Sequence, residues 1–157
     1  MSLVQCAEDA RHDEEIARLR RAFAVRALVA EGNTQTAIAK DLGVTQPAVS
    51  QLLQSSERVR DIKPTVALEA AAPVLNELAA QRGFGDLAVF GSVARGDSHA
   101  HSDVDLIVRA PRGTTIIELV SFAELLSKVL GRDVDVITYG SLKRGIDDDI
   151  RRELVRL

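Results

Sequence analysis

Between Ala7 and Ala30 the apolar positions fall at Ile16, Leu19, Phe23, Val25, Leu28 and Val29 with charges between them, a spacing that predicts one long helix. Glu31-Gly32-Asn33 stops it. Thr34 is placed to cap a second helix reaching Leu42, with Ala37, Ile38 and Leu42 inward, and Gly43 closes it in a tight turn. Thr45 caps a third helix, with Pro47 in its first turn and Val49, Leu52 and Leu53 on its inner side. The polar stretch Ser55 to Lys63, ended by Pro64, marks a junction, so one domain is expected over residues 1–62 and a second over 63–157. Ala- and Leu-rich helical sequence follows, in which Pro73 either kinks one helix or begins another.

Leu87 to Phe90 predicts a short buried strand, Asp103 to Val108 a strand that starts polar and becomes apolar, and the alternating Asp133 to Thr138 a third. Thr114 opens a helix whose inner face reads Ile117, Leu119, Phe122, Leu125, Leu126 and Val129, ended by Gly131. Ile146 to Leu157 predicts a last amphipathic helix, with Asp147-Asp148-Asp149 at the end where negative charge is favoured. The expected fold class is α+β: an all-α N-terminal domain, then a mixed sheet backed by helices.

Composition narrows the function. The 157 residues, 46% of them hydrophobic, can bury a core, which excludes a long disordered chain. A net charge of −3 excludes a polybasic protein held to nucleic acid by bulk charge, and the first 60 residues balance eight basic against eight acidic side chains. Aromatics at 3% argue against base stacking as a binding mode. Cys6 is the single cysteine, so no internal disulfide or thiolate zinc site can form. With no signal-peptide core and no bilayer-length apolar run, the expected address is the cytoplasm, with no membrane partner.

Two acidic positions carry the candidate chemistry. Asp103 and Asp105 point the same way from one strand and would repel each other unless a cation sat between them. Oxygen-only ligation suits Mg²⁺, which binds one or two carboxylates together with substrate phosphates. Gly91-Ser92 ends the preceding strand and could seat such a phosphate, since glycine lets backbone N–H groups approach an anion. Arg95 either neutralises phosphate charge there or pairs with Asp97 on the surface. His99 and His101 lie in the spacer, where a solvated loop competes with a metal or base role.

The stretch TQTAIAKDLGVTQPAVSQLLQ resembles helix-turn-helix domains, with Ala39 in the second helix, Gly43 in the turn and Val49 in the third. That resemblance makes the third helix the recognition helix and Thr45, Gln46, Ser50 and Gln51 the residues facing DNA bases or phosphates. The competing reading is the solvated side of a small bundle. A single such unit usually needs a homodimer for useful affinity.

GSVARGD, SDVDLIV and LGRDVDVIT, over about residues 70 to 157, resemble the polymerase-beta-type nucleotidyltransferase superfamily, and within it the minimal nucleotidyltransferases. The resemblance implies that Asp103 and Asp105 hold two Mg²⁺ ions and that Asp135 is a third carboxylate, ligating metal and helping to activate the attacking hydroxyl. Asp133 shares the Asp135 face, but Asp135 occupies the family's position and has apolar neighbours on both sides. Gly91, Ser92 and Arg95 would hold the phosphates of an ATP donor.

Three functions follow as expectations. The first is transfer of AMP to a protein hydroxyl, by analogy with antitoxins that modify a tyrosine of a HEPN-type toxin, with the N-terminal domain on operator DNA and a hetero-oligomer formed with the toxin. The second is a DNA-binding regulator or toxin-docking antitoxin without catalysis, against which the complete acidic set argues. The third is nucleotidylation of a small molecule such as an antibiotic, which here would borrow its acceptor pocket from a second subunit.

Overall fold

The computed structural model describes residues 1–157, apart from the side chain of Glu57. Helix α1 (Leu3–Ala30) begins at an N-cap Ser2 and has apolar side chains on two faces. Ile16, Leu19, Phe23 and Ala27, spaced by three or four residues, enter the main core. Val25 turns instead into a second cluster with Ile38, Ala39 and Val49.

That second cluster is closed by α2 (Gln35–Leu42) and α3 (Gln46–Ser55). Thr34 and Thr45 cap them as expected, accepting from the Ala37 and Ala48 N–H groups. Two turns of helix are too short to bury two faces, so α2 turns Ile38 and Ala39 inward while Ala37 and Leu42 stay exposed, as does Val29 on α1. A 3₁₀ segment, Ser56–Asp61, then leads to α4 (Pro64–Gln81).

Pro73 lies inside α4, so the helix is continuous. A proline has no N–H for the carbonyl four residues back, here Glu69. Arg20 of α1 supplies donors instead, Nη2 to Glu69 O at 3.4 Å and Nε to Ala70 O at 3.0 Å.

The remainder builds β1 (Gly85–Phe90), α5 (Gly91–Arg95), β2 (Val104–Arg109), α6 (Ile116–Leu130), β3 (Val134–Thr138), α7 (Asp148–Glu153) and β4 (Val155–Arg156), with a 3₁₀ turn at Tyr139–Ser141. The four strands lie in the order β3-β2-β1-β4. β1 runs antiparallel to both β2 and β4, and β2 parallel to β3, with α6 making the crossover that parallel pairing requires. Val104, Leu106 and Val108 of β2 enter the same core as α1, α4 and α6. Alternation turns Asp105 and Ile107 to the opposite face.

Helix α6 is capped by a reciprocal Thr115–Glu118 box and ended by Gly131. Its first turn overhangs the core, leaving Ile117 77% exposed although the pattern had placed it inward. The expected helix from Ile146 to Leu157 is also corrected: helix spans only Asp148–Glu153, and the chain then pairs with β1. The free edge of β1 offers backbone hydrogen bonds, such as Leu157 N–H to Leu87 O at 3.1 Å. Among the described residues no helix is long and apolar enough to cross a membrane.

Candidate active site

Strand register brings the acidic residues together. Asp105 of β2 lies opposite Asp135 of β3 in the parallel pairing and opposite Phe90 of β1 in the antiparallel one. Asp103 immediately precedes β2 and is exposed, as is Asp135, whereas Asp105 is half-buried. Burial raises the Asp105 carboxyl above the usual carboxylate range, Asp135 and Asp103 push it further, Arg95 opposes, and Glu153 adds to the rise. Asp103 and Asp135 therefore both act on Asp105, and Arg95 offsets only part of the negative charge around it.

The Gly91 turn is built against Asp105. Gly91 has φ +73°, and a Cβ placed on it would overlap the Asp105 carboxylate. Only glycine permits this approach. The short helix α5 starts at Gly91 and is capped by Gly96. Ser92 is half-buried beside Gly91.

Of the two alternatives for Arg95, the structure contains the surface pair with Asp97. It pairs with Asp97 at 3.2 Å and also reaches Glu153 at 3.2 Å, remaining half exposed. Nothing in the local sequence marks Glu153 as part of this site. Its carboxylate also accepts from the Gly91 N–H at 3.0 Å, so it lies on the phosphate-binding candidate itself.

The spacer folds on itself. The Ser102 hydroxyl accepts from His99 N–H at 2.9 Å, and His99 Nδ1 accepts from His101 N–H at 3.3 Å. Both histidines face solvent, as a loop role requires. Arg132, a second residue the sequence did not flag, holds this loop from behind by donating to Ala100 O at 3.2 Å. It also donates to Val59 O and Ile62 O, at 2.9 and 2.7 Å, tying the loop to the 3₁₀ segment.

Asp103 opens onto a cleft of about 180 Å³ shared with Arg60, His101, Arg132 and Asp133. Asp135 opens instead onto a groove between α6 and β3, lined by Leu119, Val120, Ala123 and Val136. A wider depression, about 740 Å³ around Phe84 and Phe122, adjoins Pro111 just beyond the far end of β2 and contains none of these carboxylates.

Among the described residues no three His, Cys, Asp or Glu side chains converge closely enough to hold an ion unaided. The donor set is nevertheless all oxygen and short of positive charge around Asp105, which suits a hard divalent cation that completes its shell with phosphate and water. A closed protein cage is not required for such binding.

In the N-terminal region Thr45, Gln46 and Gln51 are exposed and Ser50 is half-buried. The Thr45 hydroxyl is engaged as the α3 cap, and Gln46 donates to Gln35 at 2.7 Å. Gln51 lies in a cleft of about 530 Å³ with Arg18, Gln54 and Arg58.

A family model described as the nucleotidyltransferase domain matches residues 74–157. A candidate protein adenylyltransferase of Methanocaldococcus jannaschii is 39% identical over 67 residues, which cover 43% of this chain and 72% of the relative. The protein adenylyltransferase MntA of Thermococcus cleftensis is 35% identical over 79 residues, 50% of this chain and 80% of the relative. The solved structure of a candidate minimal nucleotidyltransferase superimposes with a TM-score of 0.54 at 30% identity, covering 60% of this chain and 97% of that one.

Proposed function

Because the chain belongs to the nucleotidyltransferase domain family, we propose that it transfers AMP from ATP to a hydroxyl of a partner protein. The observation that carries this is the Asp105–Asp135 register with Asp103 alongside, set against a glycine turn that abuts Asp105. The resemblance to the candidate M. jannaschii and the T. cleftensis protein adenylyltransferases supports a protein acceptor. The resemblance to antitoxin nucleotidyltransferases makes a tyrosine of a HEPN-type toxin the acceptor, in a cytoplasmic hetero-oligomer.

In this reading Gly91, Ser92 and Arg95 bind the β- and γ-phosphates, fixing the α-phosphorus beside the carboxylates. Asp103, Asp105 and Asp135 would hold two Mg²⁺ ions, which when bound supply charge stabilisation for the entering and leaving oxygens. Asp135 takes the acceptor's proton. The acceptor oxygen bonds to the α-phosphorus as the α–β anhydride bond breaks, and pyrophosphate leaves with the bonding electron pair. Asp135 is suited to the base role because it is the exposed member opposite the half-buried Asp105 and opens onto the α6–β3 groove.

Residues 1–62 are read as a helix-turn-helix unit that binds operator DNA as a homodimer, with Thr45, Gln46, Ser50 and Gln51 at the contact and residues 63–157 as the catalytic unit. The exposure of Gln51 beside Arg18 and Arg58 supports this, since guanidinium groups neutralise phosphates.

The catalytic test incubates the chain with ATP, Mg²⁺ and a HEPN-type protein encoded beside it, followed by mass spectrometry. An AMP adduct on a toxin tyrosine, lost in Asp103→Ala, is expected. No adduct, or one undiminished in that variant, overturns the reading. For DNA, binding to the upstream region should fall steeply with salt and weaken in the Gln46→Ala/Gln51→Ala double variant; unchanged binding removes α3 as the contact helix.

A further inference from the structure

Glu153 ends α7, and β4 follows it after a single residue. It is held there by backbone pairing of Val155 with Val89 and Arg156 with Ala88, so the segment that seals the edge of β1 also delivers this side chain to the site. Its Oε1 accepts from Gly91 N–H at 3.0 Å, while Arg95 Nη1 reaches Oε2 at 3.2 Å and Oε1 at 3.4 Å. Glu153 is 21% exposed against 50% for Arg95, so the carboxylate is the more enclosed partner.

Resting on the assignment of Gly91 and Arg95 to the donor phosphates, we propose that Glu153 occupies the phosphate seat when no donor is bound and is exchanged for phosphate when one arrives. The exchange is between like groups. Carboxylate and phosphate oxygens both accept charge-assisted hydrogen bonds from the same N–H and guanidinium, and the Gly91 N–H has one hydrogen to give. With Glu153 seated, the Arg95 charge is shared between two carboxylates, Asp97 and Glu153. A polyanionic donor then meets an acidic surface and must displace Glu153 to gain its cation. The same competition works in reverse after transfer: Glu153 returns to the turn as pyrophosphate leaves, clearing the seat. Glu153 is thus a positioning residue that lowers donor affinity and speeds product release.

The test titrates the full chain with tripolyphosphate in Mg²⁺ by calorimetry, with adenosine as the control that makes no phosphate contact. Glu153→Gln keeps the side-chain length and an acceptor for Gly91 but removes the charge. It should bind tripolyphosphate about tenfold tighter than wild type, with adenosine binding unchanged. A merely structural glutamate would give equal or weaker binding, which overturns the proposal. In wild type, the Gly91 amide resonance should shift on tripolyphosphate addition, and a static resonance overturns the exchange even if the variant fails to fold. If neither protein binds tripolyphosphate, the phosphate assignment of Gly91 and Arg95 falls as well. If wild type binds and Glu153→Gln binds no tighter, the role of Glu153 alone falls.

Discussion

Asp105 concentrates the conflict between folding and chemistry in one side chain. Its carboxyl is raised from 3.8 by burial first, then by Asp135 and Asp103. Between the unfolded and folded pKa values the native chain binds more protons than the unfolded one, so stability falls as pH rises through that interval and stays reduced above it. Without divalent cation, Asp105→Asn should therefore melt at a higher temperature than wild type at pH 7, the gap closing below the unfolded value of 3.8. Adding Mg²⁺ should raise wild type and leave the variant unmoved. A variant that melts lower at pH 7 in chelator would show that the charge is already compensated. At the neighbouring turn, Gly91→Ala should cost about 1–3 kcal/mol in urea unfolding, because its Cβ meets the Asp105 carboxylate on a left-handed backbone; a loss below about 0.5 kcal/mol would mean that the turn relaxes.

At the scale of elements, the connection between the 3₁₀ segment and the loop ahead of β2 depends on Arg132. This side chain is 9% exposed, faces three carbonyls and has no hydrogen-bond partner at Nε. Burial lowers its pKa. Arg132→Met should cost roughly 2–4 kcal/mol by removing the side-chain donor from the Ala100 and Ile62 carbonyls, and amide exchange at His99 to Ser102 should accelerate with it; unaltered exchange would show that the loop is held by its own turn. Arg132 was illegible in the sequence because arginine is normally a surface residue and nothing local marks its three acceptors. The capped helices were legible because Thr34, Thr45, Gly43 and Gly131 act within a turn of themselves. So was the pairing of Asp103 with Asp105, which follows from strand alternation, whereas Asp135 was joined to them by the family resemblance. Strand β4 was not legible. Ile146, Ile150 and Leu154 repeat every four residues as in a helix, and a two-residue strand has no period of its own. Its existence depends on the edge of β1, and Glu153 escaped notice for the same reason.

For the whole molecule, α1 decides how the parts cooperate. Phe23 is fully buried in the core shared with α4 and α6, while Val25 on the same helix packs against α2 and α3. Phe23→Ala should cost about 3–5 kcal/mol, and amides of α3 and of β2 should lose exchange protection together in a single transition. Separate transitions for the two regions would show that α1 does not couple them. Arg26 strengthens the link by donating to Val129 O at 2.7 Å and Lys128 O at 2.6 Å at the end of α6. The double-sided α1 also sets the rule for recombination. A chimera cut at the polar junction near residue 62 would strip Ile16, Leu19, Phe23 and Ala27 from the sheet domain and expose the apolar floor beneath them. A graft that keeps α1 and exchanges only residues 34–55 would instead leave that floor covered.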